Sequence, residues 1–177
     1  MTTLLLHTIV VGLAAGFAPP GAPGAAASTT GAELLWPVPA FPDACALLTQ
    51  AEAEAILGEP IDPPTKGGSG ECHYSARSGN GEILVYPMQL AFKSKQEFHA
   101  FIVKDTEAMN ARIKKSMEKT GATVKETTVD PVPAVGDAAY FVDPTLIVLK
   151  GGQVLNIMAA DRAQAVAVAG KVLPRFE

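Results

Sequence analysis

Residues 138–160 read AAYFVDPTLIVLKGGQVLNIMAA, and this segment gives the clearest indication of how the strands are arranged. Three short apolar runs are separated by the turn-forming dipeptides Asp143-Pro144 and Gly151-Gly152. Strands joined by such short turns are antiparallel neighbours, because parallel strands need a long crossover connection. The stretch therefore predicts a three-stranded antiparallel meander.

A second antiparallel unit precedes the meander. The segments CHYSA, residues 72–76, and EILVYPMQLAF, residues 82–92, surround the turn sequence RSGNG and predict a hairpin. Pro87 indicates an edge or a bulge in its second strand, because proline has no backbone N–H to donate. The run ATVKETTV, residues 122–129, alternates as a strand with one solvent-facing side does.

Three helices are predicted around these strands, each from a signal at its N-terminus. Capping-box sequences at residues 49–52 and 94–97 open a short helix that ends near Leu57 and a long helix that ends near Gly121. The third helix follows Asp161 and is rich in Ala and Val. The order α-β-β-α-β-β-β-β-α predicts an α+β fold, with a mostly antiparallel sheet of about five to six strands and three helices.

The long helix carries an apolar stripe. At about 100° per residue, four side chains fall on one side of it, with Phe101 and Met117 at its borders. These four are Phe98, Ile102, Met109 and Ile113. We expect the whole stripe to pack against the sheet as core.

The N-terminus predicts export. Residues 4–18 form an apolar run that is long enough for the hydrophobic region of a signal peptide and short of the roughly 20 residues that span a bilayer. Ala25 and Ala27 supply an A-x-A pattern, so we expect cleavage after Ala27. The domains predicted are a signal peptide over residues 1–27, a linker over 28–42 and a single α+β domain over 43–177.

The sequence has two cysteines, Cys45 before the first helix and Cys72 at the start of a strand. An even number behind a leader favours a disulfide in an oxidising compartment, with metal binding and free thiols as alternatives. A catalytic thiolate would need a base nearby. His73 is the adjacent residue, but neighbouring side chains on a strand point to opposite faces.

Several sequence segments, taken together, resemble those of a broad group of exported actinobacterial-type lipoproteins of uncharacterised function. They are DACALLTQAEAEAILGEP, GECHYS, VPAVGDAAYFV and LIVLKGGQVLNIMAA, followed by a short Ala-rich helix. The group is similar to the PsbP-like fold and to extracellular sensor domains of bacterial kinases, and the resemblance implies that Cys45 and Cys72 form a disulfide. Phe17 stands where the lipidated Cys of that group would lie, so the resemblance does not carry membrane attachment with it.

Candidate site residues lie on the long helix. Asp105 borders the apolar stripe with Arg112 two turns further on, and both, together with His99, could line a cleft beside the helix. The polar loop over residues 130–137 is a second place where an enzyme would carry functional groups. No motif for a nucleophile with its base, a metal or a phosphate occurs in the sequence, so no catalytic residue, metal or cofactor is assigned.

The absence of a nucleophile with its base or of a metal-binding motif favours a binding protein over an enzyme. The net charge of −4 offers no basic footprint for nucleic acid. We therefore expect an exported, non-catalytic binding or interaction module of the cell envelope, secreted or periplasmic, with a small apolar ligand or an envelope protein as its partner. We expect no stable membrane insertion after cleavage, while an uncleaved N-terminal anchor is the less favoured arrangement. The alternatives are an enzyme with a cleft beside the long helix and an accessory protein that stabilises an envelope complex.

Overall fold

The computed structural model describes residues 42–118 and 125–176 of the chain. The signal-peptide and linker predictions therefore fall almost wholly outside the described residues. The helices are α1 (Ala44–Leu47), α2 (Gln50–Leu57), α3 (Lys95–Glu118) and α4 (Arg162–Val172), which a 3₁₀ turn at Leu173–Arg175 follows. The strands are β1 (Thr65–Lys66), β2 (Cys72–Ser75), β3 (Glu82–Ala91), β4 (Asp130–Pro131), β5 (Ala138–Val142), β6 (Thr145–Lys150) and β7 (Gln153–Met158).

One antiparallel sheet contains all of these strands, in the order β1-β2-β3-β7-β6-β5-β4. The predicted α+β class, hairpin and meander are confirmed. Two-residue connections join the meander strands, since Val142 pairs with Thr145 and Lys150 pairs with Gln153. The middle pair, β3 with β7, connects the N-terminal hairpin to the C-terminal meander.

The counts of elements differ from the prediction. The described residues contain seven strands and four α-helices, not five to six strands and three helices. The additional elements, α1, β1 and β4, are too short to carry a periodic pattern. Asp43 caps α1 by accepting from the Cys45 N–H at 3.2 Å, and β1 is a two-residue pairing with β2 in the segment that connects α2 to β2.

The strand predicted over residues 122–129 is wrong for its described part. Residues 125–129 have no regular structure, and residues 122–124 lie outside the described range. The Asn110 side chain replaces a strand partner, because its amide donates to the Thr127 carbonyl at 2.8 Å and accepts from the Thr127 N–H at 3.1 Å. A side chain thus satisfies backbone groups that a sheet would otherwise pair.

Helices α1, α2 and α4 cover one face of the sheet and bury the larger core. Alternating strand residues point into this core, as a half-buried strand requires. Its large, fully buried members include Leu47, Leu48, Ile61, Tyr74, Ile83, Val85, Leu146, Val148, Leu155 and Ile157. Helix α4 contributes Ala165, Val168, Ala169 and Val172.

Helix α3 lies on the opposite face, and only its first half is packed. Phe98 and Ile102 are 0% and 3% exposed, whereas Met109 and Ile113 are each 36% exposed. The prediction that the whole stripe is core is therefore wrong. A helix of 24 residues is about 36 Å long, whereas the meander strands of five or six residues are at most about 20 Å long. The residues of α3 that pack on the sheet lie in its first half.

Two bonds fasten α1 to β2. The disulfide between Cys45 and Cys72, with 5.1 Å between the Cα atoms, is confirmed over the metal and free-thiol alternatives. Tyr74 donates from its buried hydroxyl to the Leu48 carbonyl at 2.7 Å, and burial raises the pKa of Tyr74 to about 12. Cys72 points into the larger core and His73 to the opposite face, as strand alternation predicts.

Candidate functional site

A wide, open groove of about 600 Å³ lies at one end of the sheet on the described surface. It lies between the turn of the β2–β3 hairpin and the end of β7. We use "the groove" for the surface lined by Ser75, Ala76, Gly79, Asn80, Gly81, Glu82, Leu84, Met158, Ala159 and Ala160. It is open to solvent, so a ligand could enter without any rearrangement of the backbone.

Local sequence fixes the wall of the groove. The turn RSGNG closes by a bond from the Ala76 N–H to the Gly81 carbonyl at 2.8 Å. Gly79 has a φ of 76°, a left-handed conformation that glycine adopts without steric cost. The Asn80 N–H donates to the Ser78 hydroxyl at 3.1 Å. These bonds fix the shape of the turn that forms this wall.

The floor of the groove is apolar. Leu84 on β3 lies directly opposite Met158 on β7, so the two side chains share one face of the sheet. Met158 is 39% exposed, which makes it the most exposed of the large apolar side chains in the described part of the chain. Ala159 and Ala160 continue the floor with small side chains. The surface therefore offers a contact for an apolar group.

A histidine between two carboxylates forms the polar rim beside this floor. His73 Nδ1 lies 2.8 Å from Glu82 Oε1, and His73 Nε2 lies 3.7 Å from Glu71 Oε1. The hydrogen bond to Glu82 is the main cause that raises the pKa of His73, and partial burial opposes it. The pKa of Glu71 is lowered, chiefly by its own backbone N–H and further by the N–H of Ser69. Of the three residues of the rim, Glu82 lines the groove itself, where Ser75 lies opposite it on β2.

The rim does not form a hydrolytic triad, although Ser75, His73 and Glu82 are neighbours on paired strands. A serine nucleophile needs the second imidazole nitrogen of its histidine as a base. In this site that nitrogen faces Glu71, and no hydrogen bond joins Ser75 to His73. The arrangement places the negative charge of carboxylate side chains at the edge of an apolar floor.

The candidate residues predicted from sequence lie elsewhere, on α3. His99, Asp105 and Arg112 are exposed, and none of them lines the groove. The His99 ring lies 5.0 Å from that of Tyr140, while Asp105 and Arg112 contact neither each other nor another charged group in the described ranges. Thus the structure does not gather the three residues into one cleft.

The polar loop at residues 130–137 has a structural role. Asp137 accepts from the Gly151 N–H at 2.7 Å, and its own N–H donates to the Leu149 carbonyl at 2.7 Å. Gly136 beside it has a φ of 58°, and a Cβ there would lie 2.6 Å from the Leu149 carbonyl oxygen. The segment VGDA, residues 135–138, thus fixes the loop against the β6–β7 turn.

Sequence reasoning missed the residues of the groove. Leu84 and Met158 are far apart in the chain and become neighbours only through the pairing of β3 with β7. The turn RSGNG was a visible signal, because it marks the end of a hairpin where loop residues often carry function. Which strand would lie beside that hairpin was not readable from local pattern.

No group of three His, Cys, Asp or Glu side chains in residues 42–118 and 125–176 is placed to hold a metal ion. None of the helices in the same ranges has the length and hydropathy to cross a bilayer. No protein-family model matches the chain, and the comparisons with curated proteins and with solved structures gave no match. The resemblance to exported lipoproteins stays a prediction.

Proposed function

We propose that the protein is an exported, non-catalytic binding module, and that the groove is its binding site. The observation that carries this proposal is the exposed apolar floor of Leu84 and Met158 beside the carboxylate of Glu82. An apolar concavity with a few polar groups at its edge is the usual form of a small-molecule site. The ligand expected has an apolar body and a cationic or hydrogen-bond-donating head.

The rim supports the choice of head group. Glu82 is 55% exposed, so its carboxylate is available to a ligand while it contacts His73. Glu71 lies on the far side of the same imidazole and adds negative charge. Two carboxylates flank one imidazole, so the rim keeps a net negative charge even when His73 is protonated, and it favours an amine over an anionic ligand.

The disulfide supports export, since such bonds persist in oxidising compartments. Mass spectrometry of protein secreted by its own host tests this part of the proposal. We expect a mature N-terminus at Ser28 and a mass about 2 Da below that of the dithiol. A cytosolic protein with free thiols, or a lipidated N-terminus, would contradict it.

The binding site is tested by titrating the protein with octylamine, which combines an apolar chain with an ammonium group. Backbone amide NMR shifts should move at residues 75–84 and 158–160. Met158→Lys should abolish the change by placing a charge on the apolar floor. The matched control is Met109→Lys, because Met109 has nearly the same exposure but lies on α3. The proposal fails if the groove amides do not respond, or if both variants act alike.

A further inference from the structure

The second half of α3 carries a narrow apolar strip that the sheet leaves uncovered. Met109 and Ile113 are each 36% exposed. Ala108, which directly precedes Met109, is exposed as well. Residues 125–129 occupy only one side of this half, where Asn110 holds Thr127. On the other side, Asp105 and Arg112 are exposed, and no described segment is bonded to them.

Two opposite charges border this side. At about 100° per residue, Asp105 and Arg112 lie about 40° and 60° from Met109 in the same direction around the helix. They are seven residues apart, so about 10 Å of helix separates them and they cannot pair with each other. Both are exposed, and neither has a hydrogen bond or ion pair with another described residue.

We propose that this surface binds the same surface of a second copy of the chain, as an antiparallel α3–α3 pair around a two-fold axis. An axis midway between Ala108 and Met109 places Asp105 of each copy level with Arg112 of the other. The reason is that both residues are about 5 Å from the axis along the helix, in opposite directions. One self-complementary surface thus gives two identical ion pairs, as isologous interfaces require.

Apolar contacts lie between the two ion pairs. Met109 of each copy lies next to the axis, and Ala108 allows the helices to approach closely. Only about three helical turns of each copy are in contact, so we expect the area buried per partner to be below the roughly 800 Å² of a stable interface. We therefore expect a weak dimer, with a dissociation constant on the order of 10 µM.

Charge reversal tests the pairing through sedimentation velocity over a range of protein concentrations. Asp105→Arg and Arg112→Asp should each weaken self-association by about tenfold or more, because each puts like charges together at both ends of the interface. An equimolar mixture of the two variants should recover the dimer, since a mixed pair regains two attractive contacts. Both sites are exposed, and circular dichroism melting curves verify that each variant is folded.

The matched controls are two single variants, Glu107→Arg and Lys114→Asp. These residues have the same charges and the same spacing of seven, but they lie on the opposite side of α3, so their reversal should leave the dimer unchanged. A wild-type protein that is monomeric at all concentrations would overturn the proposal. So would a mixture that stays monomeric, or control variants that weaken association equally. The groove shares no residue with this surface, so its failure and that of the dimer are separable.

Discussion

Single residues hold the ends of elements in place in this domain. Gly136 occupies a left-handed conformation directly against the Leu149 carbonyl, and Asp137 beside it bonds the β6–β7 turn. Arg175 donates to both oxygens of Glu52 at 2.7 and 2.8 Å and to the Leu47 carbonyl at 2.9 Å. Each of these contacts joins segments that local preference alone would leave independent.

Gly136→Ala should lower the free energy of unfolding by about 2–4 kcal/mol, from a left-handed penalty plus a steric overlap. Gly58→Ala is the control, because Gly58 has a φ of 75° and an added Cβ there would meet nothing within 4 Å. That change should cost only about 1–2 kcal/mol, the conformational penalty alone. Urea unfolding of both variants measures the difference, and equal costs would refute the close-approach explanation.

The ion pair of Glu52 predicts a dependence of stability on pH. The hydrogen bonds from Arg175, and then from the Thr49 N–H, lower the pKa of Glu52 from 4.5 to about 2. The lowered pKa means that the stabilisation is complete above about pH 4.5 and is lost as the pH falls towards 2.

Glu52→Gln should therefore reduce the free energy of unfolding by about 1 kcal/mol at pH 7 and should show a smaller loss of stability between those two pH values. Thermal unfolding across that range measures it. Glu107→Gln serves as the comparison, because Glu107 is exposed on α3 and has no ion pair with any residue of the described ranges. An unchanged pH profile for Glu52→Gln would contradict the assignment.

At the scale of elements, α3 combines a packed half with an uncovered half. Phe98 packs against Phe92 and Tyr140, with ring centroids 5.3 and 5.7 Å apart, while Met109 has solvent on one side. Phe98→Ala should cost about 3–5 kcal/mol. Met109→Ala should cost less than about 1 kcal/mol. Chemical denaturation tests this, and comparable losses would show that the second half is also core.

Element types and most of their boundaries could be predicted from sequence. The capping box at Thr49 forms as expected, with the Glu52 N–H bonded to the threonine hydroxyl, and Asp161 caps α4 by accepting from the Gln164 N–H. Periodicity also identified the stripe on α3. It could not reveal where the sheet ends beneath that stripe, because the size of a sheet face depends on pairings between distant strands. The alternation at residues 125–129 misled for a related reason, since Asn110 supplied the backbone partner.

At the scale of the whole molecule, the candidate site was less predictable than the fold. The residues singled out on α3 were chosen for their chemistry, but a groove arises from which segments become neighbours. Leu84 and Met158 meet through a pairing that no local pattern encodes. The disulfide was predictable because the sequence has only two cysteines and its apolar N-terminal run predicts export to an oxidising compartment.

Removing the disulfide should destabilise the domain without changing its fold. The cysteines are 27 residues apart, and the chain-entropy model gives a loss of about 3.5 kcal/mol for Cys45→Ala with Cys72→Ala. Tyr74→Phe deletes the other bond between α1 and β2 and should cost about 1–2 kcal/mol. Guanidinium unfolding of both variants measures the ratio. A double variant as stable as wild type would show that α1 is held by packing alone.

The pairing of β3 with β7 also has a consequence for folding kinetics. Among the described strands it is the one link between two sub-sheets that local turns can form on their own. This pairing closes the whole chain between β3 and β7 into a loop, which costs conformational entropy before the new contacts stabilise it. We therefore expect the pairing to limit the folding rate. Stopped-flow refolding of Ile157→Val should then be slower than that of wild type, with little change in unfolding rate. The groove, whose floor spans β3 and β7, would come into existence only in that last step.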